Sequence, residues 1–118
     1  MVEKKTNGSG YMEMPGANAA SEERKPRIAK STVQTDNDRC RVTRWDLGPL
    51  EETGAHMHEY DYCVVPLSTG QLTMVADSGE ETVADMQAGV SYFREAGVSH
   101  NVLNKSPVPF SFVEIELK

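Results

Sequence analysis

Three histidines are the whole imidazole complement of this chain, and their spacing is what could do chemistry. His56 and His58 lie two apart in the run Gly54-Ala55-His56-Met57-His58, and His100 stands alone far downstream. In an extended strand, side chains at i and i+2 leave the same face. His56 and His58 then converge on one side, about 7 Å apart along the strand. A third histidine from another strand completes one face of a metal's coordination sphere, and neutral imidazole is the commonest metal ligand. Three imidazoles leave positions open for water, substrate or dioxygen, which marks a catalytic rather than a closed structural centre. The ligand set suits a divalent ion such as Fe, Ni, Mn or Zn without choosing among them. The competing reading makes His56 and His58 polar surface residues and His100 a core histidine satisfied by its neighbours.

Other candidates surround this group. The i+2 rule puts Tyr60 and Tyr62 together, as lining of a ligand cavity or as core rings. Cys63 then points away from Tyr62 and packs as a small hydrophobe, but a slip of one residue reverses both assignments. Arg94 could receive an anionic substrate, with an ordinary surface arginine as the alternative. Trp45 and Phe93 read as core. Glu51, Glu52 and Glu59 lie near the histidine pair and read as solvated loop carboxylates. No nucleophile–base pairing supports acyl transfer.

Short strands must position these residues. Candidate strands run Ile28–Thr35, Arg39–Leu47, Ala55–His58, Asp61–Leu67, Gln71–Ala76, Glu81–Met86, Val90–Arg94, Val98–Leu103 and Phe110–Leu117. Turn-formers separate them: Asp36-Asn37-Asp38, the Pro49 loop, Ser68-Thr69-Gly70, Asp77-Ser78-Gly79, Gln87-Ala88-Gly89 and the proline-rich Lys105–Pro109. In the second strand Cys40, Val42, Arg44 and Asp46 share one face, and Arg41, Thr43, Trp45 and Leu47 the other. The run Tyr62-Cys63-Val64-Val65 suggests burial on both faces. In the last strand Phe110 and Phe112 share a face, on which alternation also puts Glu114. Strands of this length and spacing read as a sandwich or barrel. Upstream, residues 1–24 are rich in Gly, Asn, Ala, Ser and charge and read as a flexible tail, with a weak helix signal over Ala17–Arg24. Residues 25–118 form the single domain.

The two histidine segments, with their glycines, resemble the cupin family. The first cupin motif sets a histidine pair, a glutamate and a closing glycine at fixed intervals after an opening glycine. His56 and His58 match the pair, and Gly70 the closing glycine to within a residue. Gly48 lies two residues too far upstream for the opening glycine, and Gly54 is too close. Gly89, Gly97, His100 and Asn104 fall at the second motif's spacing, with Glu95 at its proline position. The motif's glutamate position falls on Tyr62 with a three-residue spacer and on Cys63 with a four-residue spacer. With Tyr62 there, the centre has three neutral imidazoles as its only protein ligands and the phenol beside them.

The resemblance implies an all-β jelly-roll barrel (a double-stranded β-helix) with a metal on His56, His58 and His100. Several further stretches, His58–Leu67, Gly89–Arg94, Ala96–Val102 and Phe112–Leu117 among them, resemble small bacterial single-domain cupins, some named for β-alanine degradation. The implied function is metal-dependent chemistry on a small organic molecule, as an oxygenase or isomerase of catabolism. The alternative is a module that binds or senses a small ligand without turnover. Tyr60, Tyr62 and Arg94 are the candidate substrate contacts.

Whole-chain properties exclude other classes. Across 118 residues the net charge is −6, which argues against nucleic acid, whose phosphates need a basic patch. No apolar run approaches the ~20 residues that span a bilayer. Met1 to Gly10 is polar where a signal peptide would have an apolar core, so a cytoplasmic protein is expected, with Cys40 and Cys63 as free thiols. An exposed sheet edge at Ile28–Thr35 suggests a homodimer.

Overall fold

The computed structural model describes residues 27–118. The expected tail over residues 1–24 and the Ala17–Arg24 helix signal lie outside the described residues. Within them the fold is all-β, with nine strands: β1 (Lys30–Asp36), β2 (Cys40–Leu47), β3 (His56–Met57), β4 (Asp61–Pro66), β5 (Gly70–Ala76), β6 (Glu81–Met86), β7 (Tyr92–Arg94), β8 (Ser99–Leu103) and β9 (Phe110–Leu117). Every strand expected from the turn spacing is present, each within two residues of its expected ends. No helix among the described residues is long and apolar enough to cross a membrane.

The strands form two antiparallel sheets, ordered β1-β2-β9-β4-β7 and β3-β8-β5-β6. They pack face to face as a jelly roll. The core comes from the inward positions of the alternation: Leu47, Tyr62, Val64, Leu72, Met86, Val102, Phe110 and Phe112 are buried, with Trp45, Met74, Ala84 and Tyr92 packed against them. Burying a side chain of this size stabilises by about 1.5–3 kcal/mol. On β4 burial alternates, with Tyr62, Val64 and Pro66 buried and Cys63 and Val65 only partly covered. The apolar run therefore lies in a sheet with one face on the core and one turned outward, not in a strand buried on both faces. On β7 Tyr92 and Arg94 pair with Val64 and Tyr62, which sends Phe93 to the outer face, 48% exposed. Phe93 is thus not a core residue.

The two long sides of the sandwich differ. On one, Glu52 stitches the sheets together, bridging to Ile28 and to Leu103. Its carbonyl accepts from the Ala29 N–H at 2.8 Å, and its own N–H donates to the Arg27 carbonyl at 2.8 Å. On the other, the outermost strands β6 and β7 have no ladder between them. The barrel is laced at β1 and β3 and open at β6 and β7.

Candidate metal centre

His56 and His100 are directly opposite each other across the β3–β8 ladder. His58 follows β3 and extends the same pairing: its N–H donates to the Val98 carbonyl at 2.9 Å, and its carbonyl accepts from Gly97 N–H at 2.8 Å. Gly97 holds φ at 104° in the turn that makes this reach possible, a region open to glycine and costly to other residues. Met57, between the histidines, points outward and is 61% exposed. The i+2 alternation therefore aims both His56 and His58 inward, where they meet His100.

The three Nε2 atoms converge. His56 Nε2 lies 3.0 Å from His58 Nε2, and His58 Nε2 lies 3.1 Å from His100 Nε2. Hydrogen bonds alone do not account for this arrangement. His56 Nδ1 is 2.7 Å from the Gly54 carbonyl, so that nitrogen carries the proton and Nε2 presents a lone pair. If His58 Nε2 carries a proton, it donates to one neighbour and has no lone pair for the other. If it is bare, it faces the bare nitrogen of His56. No tautomer assignment satisfies both contacts. A cation between the three nitrogens does, and the spacing suits one: metal–nitrogen bonds of about 2.1 Å give an octahedral face with edges of about 3.0 Å, against about 3.4 Å for a tetrahedral one.

His58 and His100 are held uncharged, the state in which an imidazole binds a metal. Burial, with His56 and His100 nearby, pushes His58 down to about 4. Burial, then His56 and Arg94, brings His100 to about 4, with Asp77 opposing. His56 is further fixed through its loop. Gly54 N–H donates to Asn101 Oδ1 at 3.0 Å, and Asn101 Nδ2 donates in turn to Glu52. Such outer contacts set ring orientation.

Tyr62 points inward and Cys63 outward, which corresponds to the three-residue spacer. The Tyr62 ring stacks on His58, with centroids 3.9 Å apart and planes 19° from parallel. Burial first, then Tyr92 and Glu114, raises its phenol to about 12, so it stays a neutral donor. Tyr60 precedes β4, where strand alternation does not yet apply, and it lines neither of the two cavities described below. Arg94 is exposed, its guanidinium 4.7 Å from the centre of the Tyr92 ring and donating to the Phe93 carbonyl at 3.0 Å.

Two cavities meet the histidines. A cleft of about 460 Å³ opens between β6 and β7, lined by Met74, Thr82, Ala84, Asp85, Met86 and Val98, with Tyr62, Tyr92, Arg94 and His100. A smaller internal one, of about 20 Å³, is bounded by Trp45, Thr53, His56, Tyr62, Tyr92, His100 and Glu114 among apolar side chains. The smaller has room for about one water. Tyr62, Met74, Tyr92 and His100 border both.

Glu114 is the residue whose place in the centre the sequence reading did not identify. Its Oε2 lies 3.5 Å from His58 Nε2, and with Glu116 it forms a second possible ligand group around His58. Burial, reinforced by Glu116 and opposed by the Trp45 indole, raises its carboxyl to about 7. The uncharged histidine means that this contact is not an ion pair. Alternation along β9 already put Glu114 on the face of Phe110 and Phe112. What the sequence lacked was the cross-strand register, Glu114 opposite Val64, which brings it to the histidines.

No family model matches the chain. It is 48% identical over 90 residues to the β-alanine degradation protein BauB of Pseudomonas aeruginosa, an alignment covering 76% of this chain and 94% of that protein. A cupin domain from Bordetella pertussis superposes with a TM-score of 0.77 at 47% identity, over 81% of this chain and 99% of the other. The polyketide cyclase RemF of Streptomyces resistomycificus shares the fold alone, with a TM-score of 0.59 at 19% identity over 88% and 79% of the two chains.

Proposed function

The chain belongs to the small bacterial cupins that include BauB, and from that premise we propose that it is a metal-dependent cupin acting on a small anionic molecule in catabolism. The observation that carries the reading is the convergence of three imidazole nitrogens at 3.0 and 3.1 Å. His56, His58 and His100 hold a divalent ion, Fe, Ni, Mn or Zn. Such an ion supplies Lewis acidity and open positions for an oxygenase or isomerase reaction. The name of the P. aeruginosa relative supports a catabolic setting and specifies no reaction.

The chain's own residues divide the remaining work. Arg94 stands at the mouth of the β6–β7 cleft and attracts the anionic end of a substrate. Met74, Ala84, Met86 and Val98 dry the passage inward. Tyr62, locked against His58 and kept neutral, donates a hydrogen bond to whatever occupies the open side of the centre. The active form is a homodimer joined through the β1 edge.

Metal analysis of the purified protein tests this. The wild type should carry close to one ion per chain, and His56→Ala, His58→Ala and His100→Ala should each lose most of it. Tyr62→Phe should keep the ion while altering ligand affinity or turnover, and Arg94→Ala should weaken anionic ligands selectively. Full occupancy in His56→Ala would overturn the metal assignment. Oxygen uptake with amines, thiols and β-dicarbonyls tests turnover. No uptake, with a small molecule retained in native mass spectrometry, would instead establish a binding module.

A further inference from the structure

We propose that Glu114 is the carboxylate of this centre, supplied from β9 in place of the glutamate that the cupin motif draws from β4. The inference rests on the three-histidine reading above and extends it to the charge balance of the site.

Three observations carry it. The motif position is filled by Tyr62, whose ring lies flat on His58, so that strand brings a neutral phenol where the motif brings an anion. Glu114 comes from the adjacent strand, opposite Val64, and places Oε2 3.5 Å from the His58 nitrogen that also faces His56 and His100. Finally, Glu114 borders the 20 Å³ cavity together with His56, His100 and Tyr62. A cavity of that size takes one water, and the water has polar partners on several sides: the carboxylate, two phenols and the open face of the histidine cluster.

Three neutral imidazoles leave a divalent ion its full charge, and a buried charge is costly unless an opposite one lies near. Glu114's neighbour of the same sign, Glu116, is also drawn towards Arg41 at 3.8 Å. Glu114 groups with His58 and Glu116 and borders the water-sized cavity together with His56 and His100, so a water held there would link it to an ion on the histidines. In that place it lowers the cost of holding the ion and orients the water. It is a positioning residue, and it leaves the histidines as the direct protein ligands.

The test is Co²⁺ titration of the metal-stripped full-length chain, followed by calorimetry and by the visible absorption of the bound ion. Glu114→Gln should weaken Co²⁺ binding by about 10- to 100-fold, the range for lost partners just outside a metal's ligands. Glu114→Asp, which keeps the charge, should recover most of that loss. Glu116→Gln should change affinity less than threefold. Thermal melts of the metal-free variants check folding, and the Asp variant carries the comparison if the Gln variant does not fold. Wild-type affinity in Glu114→Gln, or an equal loss in Glu116→Gln, would overturn the proposal while leaving the three-histidine centre standing. A wild type that binds no Co²⁺ would overturn the centre and this inference together.

Discussion

His58 and Glu114 face each other across 3.5 Å and are displaced in opposite directions by the same burial. In the metal-free protein His58 and His100 fall to about 4 from 6.5. The unfolded chain therefore binds their protons first, and the stability they contribute is full above pH 6.5 and lost as pH falls towards 4. Glu114 rises to about 7 from 4.5, so its contribution is full below pH 4.5 and lost as pH rises through 7. Two histidines outweigh one carboxyl between pH 4.5 and 6.5. Urea midpoints of chelator-treated protein should climb across that window with a net slope of about one proton, then slip slightly towards pH 7. Glu114→Gln should steepen the climb and abolish the slip. A wild-type midpoint that is flat from pH 4.5 to 6.5 would contradict the assignment of buried, neutral histidines.

At the scale of the strands and turns, the glycines and the asparagine of the two motifs are backbone devices. The opening glycine is absent, yet Leu50, six residues before His56, takes a φ of 65°, the left-handed region that costs a branched residue about 1–2 kcal/mol. Its N–H donates to the Asn104 carbonyl at 2.7 Å, which holds the turn in place. Leu50 is 46% exposed, so little packing is lost on truncation, and Leu50→Gly should stabilise the protein by up to about 1 kcal/mol in urea unfolding. Asn104 is fully buried. Its Nδ2 reaches the carbonyls of Leu47, Gly48 and Val108, and its Oδ1 accepts from Ser106 N–H at 3.0 Å. Asn104→Ala strands those groups and should cost about 2–4 kcal/mol, measurable as a lower urea midpoint at an unchanged m-value. The strands were legible because turn residues punctuate them and two motifs fix their order. The His pair was legible because alternation is local. Glu114's contact with His58 and the placement of Tyr60 were not, since one depends on cross-strand register and the other on where β4 begins.

At the scale of the whole domain, the described residues are laced at β1 and β3 and open at β6 and β7, so the proposed function puts access to the centre and the proposed dimer contact on opposite sides. Among the described residues, every residue of β1 is exposed and the strand's one ladder is with β2. Among the described residues its other edge has no ladder partner, and such an edge is of the kind that recruits another chain. Sedimentation at micromolar concentration should give about twice the 13.0 kDa chain mass. A single species at the chain mass in the wild type would refute the dimer. The reverse side of the centre offers something practical. Cys63 follows Tyr62 on β4 and lies between Ile115 and Phe93 on the outer surface of the five-stranded sheet. With Cys40, the only other thiol, changed to serine, a fluorophore attached there sits one peptide unit from the ring stacked on His58. Under the proposed function it should report ligand arrival through a wall it does not breach, a built-in sensor position that leaves the cleft itself untouched.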